Sequence, residues 1–254
     1  MLPAGHISSE RWPSVVEIPA HGDQFHAIWA ELIRLAAKPA APWTLIGSQM
    51  VHLHGWMAGA ERPALSKEAD LLADSVTVLT ATRKLSEQLV DSGFELADRS
   101  ALGTSHLFKK GDVEIDVLAP EKISDANRQT YGGVRTVAVP GGRQAIHRTI
   151  RLQVKSRDIE GEVPVPNLLG AILIKCRAIG VSSRPDSQRE DFAFLLSLVK
   201  GLQETDTFRA QLEGRQRTWL REREEIANVR HPCWLRIANA QQGVVTYRRL
   251  IAPS

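Results

Sequence analysis

The chain has 254 residues, 43% of them hydrophobic and 24% charged, and carries a net charge of +3. That is ample material for a core, in one large domain or two modest ones, with the composition of an ordinary globular protein. No apolar run approaches the roughly 18–20 residues of a membrane span, the first residues lack signal-peptide order, and Cys176 and Cys233 fit neither a disulfide framework nor a zinc site. A cytoplasmic protein with no membrane partner is therefore expected.

Residues 1–22 read as an extended arm punctuated by prolines. The periodicity predicts a helix from Asp23 to Ala37, ended by "KPAAP". "WTLI" is a short buried strand, and Gly47-Ser48 turns the chain into a helix over Gln49–Met57. A strand follows from Lys67 to Asp74, then an amphipathic helix, "TATRKLSEQLVDSG", stopped by Gly93. "FELAD", "TSHLFKK" and "VEIDVLA" are three further strands, the last two joined at Gly111. "TYGGVRTVAVPGG" holds turns and another strand, and "RTIRLQVKS" would extend the sheet.

From Pro166 the period changes to 3.6. "PNLLGAILIKCRAIG" places Leu168, Ile172, Cys176 and Ile179 on one stripe, with Asn167 as a candidate cap and Gly180 as a stop. "QREDFAFLLSLVKG" is a second helix, and more helix is predicted from Asp206 to Asn228. The fold class is α+β: a mixed sheet with flanking helices, then a mainly helical C-terminal part. The domain layout is an arm at 1–22, an α/β domain at 23–160 and a helical domain at 161–254.

Charge is unevenly spread. From Thr207 onward stand Arg209, Arg215, Arg217, Arg221, Arg223, Arg230, Arg236, Arg248 and Arg249 against four glutamates and no lysine, a net of +5. Such a segment suits either a solvated helix with internal Glu/Arg pairs or a surface that meets phosphates. Trp219 and Trp234 within it would either anchor the core or stack bases.

The chemistry sits earlier. Side chains alternate along a strand, so Glu68 and Asp70 point the same way, about 7 Å apart. Asp116 lies in a second apolar strand between Ile115 and Val117. If those strands are neighbours, three carboxylates converge, and burying them without a cation is costly. Oxygen-only ligands favour Mg²⁺ or Mn²⁺. The alternative is the solvent face of an edge strand. A strand, then Gly47-Ser48, then a helix N-terminus offers backbone N–H groups and a hydroxyl to phosphate oxygens. Lys175 lies beside the buried stripe of its helix, aimed at a cleft or snorkelling at a helix border. Asp191, near the expected start of the next helix, either complements the helix dipole or pairs with Lys175. His52 and His54 are two apart in a helix and make poor metal partners. His106 either packs or leans toward Asp116.

In these motifs the chain resembles the nucleotidyltransferase superfamily, and most closely its AbiEii/AbiGii-type toxin branch, which includes the MenT toxins. "LIGSQMVHLHG" is similar to the glycine turn and helix, "LSKEADLLAD" to the strand bearing a hydroxyl and two acids, with Ser66, Glu68 and Asp70, and "VEIDVLAP" to the third-acid strand, with Asp116. "PVPNLLGAILIKCRA" and "REDFAFLL" resemble the downstream helices, giving Lys175 and Asp191. The resemblance implies metal-dependent transfer of a nucleoside monophosphate from an NTP to an acceptor hydroxyl. It implies metal at Glu68, Asp70 and Asp116, and nucleotide at Gly47, Ser48, Ser66, Lys175 and Asp191. The implied acceptor is RNA, at a tRNA 3′ end, with a cognate antitoxin as partner. Glu68 stands where the family has Asp, and its longer arm is expected to weaken activity. A small-molecule nucleotidyltransferase and a catalytically silent binding protein remain the alternatives.

Overall fold

The computed structural model describes residues 14–62, 66–97 and 106–253. Strand β1 (Val16–Glu17) precedes helix α1 (Asp23–Ala37), whose bounds match the periodicity because its apolar positions recur on one face and the prolines beyond it stop it. Strand β2 (Trp43–Ile46) is buried at every position and runs straight into α2 (Gly47–Met57). Strand β3 (Glu68–Ala73) and α3 (Ala81–Asp91) follow, then the short β4 (Glu95–Leu96), β5 (Leu107–Lys110) and β6 (Val113–Pro120). The beginning of "TSHLFKK" and most of the N-terminal arm lie outside the described residues.

A six-stranded mixed sheet holds the site. Its order is β2-β3-β6-β5-β4, with β7 (Ala138–Val139) paired to the end of β6. The β3–β6 pair is parallel, whereas β2–β3, β5–β6 and β4–β5 are antiparallel. One face carries the buried apolar side chains of Ala69, Leu71, Ile115, Val117 and Phe108.

The segment "RTIRLQVKS" does not extend this sheet. It forms β8 (Thr149–Ser156), which pairs with β9 (Ile159–Pro166) and with β1 in a separate three-stranded sheet. Apolar and polar residues alternate in β8, which suits any half-covered sheet, so the pattern could not choose the partner. Helix α4 (Gly142–His147), absent from the sequence reading, is only six residues long and too short to show a period.

The C-terminal part is helical, as expected: α5 (Leu168–Ala178), α6 (Pro185–Ser197), α7 (Gly201–Gln211), α8 (Gly214–Arg221) and α9 (Ala240–Ile251). Asn167 caps α5, its side-chain oxygen accepting from Gly170 N–H at 2.9 Å. Every residue of α5 from Leu168 to Cys176 is buried, so it is a central helix rather than a one-faced one. Helices α2, α5 and α6 pack together, which brings the glycine turn side of the sheet against the helices bearing Lys175 and Asp191.

Candidate active site

Register decides the central question. Asp70 and Asp116 are direct partners on the parallel strands β3 and β6, and Glu68 is the partner of Glu114 two residues earlier. All four side chains share one face of the sheet. Ile46, the last residue of β2, pairs with Asp70 on the other side. The next residue, Gly47, has φ +68 and opens α2. A Cβ at Gly47 would lie 1.7 Å from Asp70 Oδ2, so only glycine allows the carboxylate this close to the turn. No side chain caps α2, which leaves its first N–H groups, including that of Ser48, for another acceptor.

The electrostatics are those of crowded acids. Burial first, then the charges of Asp70, Glu68 and Glu114, push the Asp116 carboxyl up to about 8. Its Oδ1 atom is buried with no hydrogen-bond partner. Burial also raises Asp70, opposed by the Lys175 charge and reinforced by Glu68 and Asp191. His106 leans toward the site, its Nε2 standing 4.0 Å from Asp116 Oδ2. Burial lowers the His106 pKa, which leaves the ring a poor counter-charge.

Glu68 is exposed, at the rim of this face. Ser66, just before β3, shares its hydroxyl with the backbone of Glu68, at 3.3 Å from the N–H and 3.4 Å from the carbonyl oxygen. Gln49, which the sequence reading did not single out, is fully buried and donates to the carbonyls of Ser66 and Glu68 at 2.9 and 3.3 Å. It ties the first turn of α2 to the start of the acidic strand. Among the described residues, no three His, Cys, Asp or Glu side chains form a group that could hold a metal ion as they stand.

Lys175 and Asp191 are brought together. Lys175 Nζ lies 2.8 Å from Asp191 Oδ2 and donates to Gln188 Oε1 at 3.1 Å. Lys175 is 4% exposed and Asp191 1%. Lys175 is therefore no snorkelling residue at a helix border. Asp191 lies in the middle of α6, which begins at Pro185 rather than Gln188, so it does not serve the helix N-terminus. The second cation on Asp191 is Arg62, whose Nε donates to Oδ1 at 2.5 Å. Arg62 and Asp191 are 129 residues apart, and nothing in the sequence could have paired them.

The remaining candidates resolve plainly. His52 and His54 are buried in α2 and belong to the core. Trp234 is buried and donates from Nε1 to the Ile226 carbonyl, and Trp219 has Arg177 and Arg215 over its ring at 5.1 and 5.9 Å. Arg209, Arg217, Arg221, Arg223 and Arg248 donate to backbone carbonyls, and Arg236 and Arg249 pair with Glu190 and Asp206. The Arg-rich end is mostly engaged within the fold.

No known protein-family model matches the chain, and no curated protein matches it. Among solved structures it is similar to one described as an antigenic nucleotidyltransferase-like protein from Paracoccidioides brasiliensis, with a TM-score of 0.38 and 15% identity over 79% of this chain and 88% of that one. A likeness of that size decides nothing about activity.

Proposed function

We propose that the protein is a metal-dependent nucleotidyltransferase acting at Asp70 and Asp116. The observation that carries this reading is their direct pairing across β3 and β6, with the Gly47 turn packed against Asp70. A pair of acids that raise each other's cost of ionisation, with an orphaned buried oxygen on Asp116, fits a hard divalent cation. Asp70 and Asp116 would hold Mg²⁺ or Mn²⁺, with Glu68 beside them at the rim. Such an ion, when bound, would neutralise charge on the phosphoryl oxygens and lower the pKa of the attacking hydroxyl.

The chain's own groups supply orientation. The Gly47 and Ser48 end of α2 presents N–H donors and a hydroxyl to triphosphate oxygens. Lys175 contributes a positive charge from the helical side, close enough to Asp70 to oppose part of the rise that burial imposes on its pKa. In the reaction a bond forms between an acceptor oxygen and the α-phosphorus, the bond to the leaving pyrophosphate breaks, and the proton of the acceptor hydroxyl passes to solvent water. Positioning and charge neutralisation dominate such transfers.

The finer reading is an RNA acceptor, at a tRNA 3′ end, and a toxin paired with an antitoxin. It rests on the motif resemblance of Gly47-Ser48, Ser66, Glu68, Asp70, Asp116, Lys175 and Asp191 to the AbiEii/AbiGii-type branch. The test is incubation with each labelled NTP, Mg²⁺ or Mn²⁺, and total RNA. Label on RNA that disappears in Asp70→Asn and Asp116→Asn supports it. Label on small molecules alone favours the small-molecule reading, and no label with any NTP sinks the enzyme.

A further inference from the structure

We propose that Arg62 is a positioning residue that lets Lys175 change partners, keeping Asp191 neutralised while the Lys175 amine turns to a nucleotide phosphate. This rests on the nucleotide reading above.

The two cations hold Asp191 differently. Arg62 Nε donates to Oδ1 in an aligned hydrogen bond of 2.5 Å. Lys175 Nζ is 2.8 Å from Oδ2, yet Oδ2 receives no aligned hydrogen bond. The amine's directed bond goes to Gln188 instead. Asp191 is thus gripped by Arg62 and held by Lys175 through charge alone. All three side chains are at least nine-tenths buried, with one positive charge in excess beside the carboxylates of the site.

That surplus matters for a moving lysine. With only Lys175 as partner, Asp191 would be left as a bare buried anion whenever the amine moved away, a penalty of about two decades in equilibrium constant. Arg62 removes that penalty because its own bond to Asp191 is untouched by the move. Its place in the chain fits the role: it follows α2, precedes the strand that carries Glu68 and Asp70, and ties the chain at its own position to α6.

The test is a binding cycle with fluorescent ribonucleoside triphosphates of the four bases, in Mg²⁺ or Mn²⁺, on the full chain. Arg62→Ala leaves a neutral Lys175–Asp191 pair, and affinity should fall by about tenfold or more. Adding Asp191→Asn should restore it, because nothing then holds the amine back. An Arg62→Ala variant that binds as the parent does, or a double variant as weak as Arg62→Ala, overturns the proposal. If Arg62→Ala fails to fold, Asp191→Asn and the double variant still decide. They should agree within about threefold, and a tenfold loss in the double variant would make Arg62 a direct phosphate ligand and overturn partner exchange. A parent that binds no triphosphate sinks the nucleotide reading itself, whereas a binding parent with an unaffected Arg62→Ala sinks only the role of Arg62.

Discussion

Asp70 and Asp116 stand opposite each other on neighbouring parallel strands, and the first helps hold the second's carboxyl at about 8. The folded state therefore keeps a proton on Asp116 that the unfolded chain has already lost. Between about pH 4 and pH 8 this group makes stability fall as pH rises, and its penalty is complete above pH 8. Asp116→Asn should match the parent's melting temperature at pH 4 and exceed it at pH 9. Mn²⁺ should raise the parent's melting temperature far more than the variant's. A parent that melts identically with and without the ion would count against the cation.

His54 titrates in the opposite sense. Burial lowers its pKa to about 4, although its Nε2–H donates to the Pro166 carbonyl at 2.9 Å. The unfolded ring takes a proton near pH 6.5 and the folded ring refuses it, so stability is lost as pH falls from about 6.5 to 4, by roughly 3 kcal/mol. His54→Gln keeps a donor and cannot titrate. Its urea midpoint should stay flat over that window while the parent's drops.

Gly47 and Gly59 share nearly the same positive φ, +68 and +69, in different surroundings. A methyl at Gly59 meets open space and costs only the left-handed strain, about 1 kcal/mol. A methyl at Gly47 meets the Asp70 carboxylate. Gly47→Ala should lose far more stability than Gly59→Ala and should abolish nucleotide binding. Equal melting temperatures for the two would show that Asp70 is not fixed against the turn.

The arginines of the C-terminal part act on helix ends. Arg217 donates to the Arg209 carbonyl of α7 at 2.8 Å, and Arg221 to the Ile251 carbonyl of α9 at 3.3 Å. Replacing both with Ala should cost about 1 kcal/mol each, read as a lower melting temperature. RNA binding, where measured, should keep its salt dependence. A slope that flattens by about one unit per arginine would mean that these side chains reach phosphates instead.

The sequence carried the local parts of this structure well. The bounds of α1, the buried β2, the turn at Gly47 and the Asn167 cap each follow from a few adjacent residues. The shared face of Glu68, Asp70 and Asp116 was legible too, because strand alternation fixes which way a side chain points once strands are neighbours. What escaped was set at long range. Strand β9 carries Pro164 and Pro166, which argue against a strand until a partner is known, and the burial of Lys175 comes from α5 being enclosed on all sides. Helix α9, by contrast, repeats Val244, Tyr247 and Leu250 at helical spacing and was legible locally. A charge excess likewise says nothing of geometry, so the carbonyl partners of Arg217 and Arg221 could not be read from composition.

Strand β1 pairs in parallel with β8, joining residues about 140 positions apart, and α1 lies against β9. The first described elements, β1 and α1, thus complete their contacts only with strands that emerge much later in synthesis. Until then the apolar side of α1, including Ile28, Trp29 and Leu32, has no finished surface to cover it. Folding of this region is governed by closing a very long loop, which is slow and leaves sticky surface open meanwhile. Refolding from denaturant of a variant whose other five tryptophans are replaced by Phe should therefore show the fluorescence change of Trp29 lagging behind helix formation in the C-terminal part.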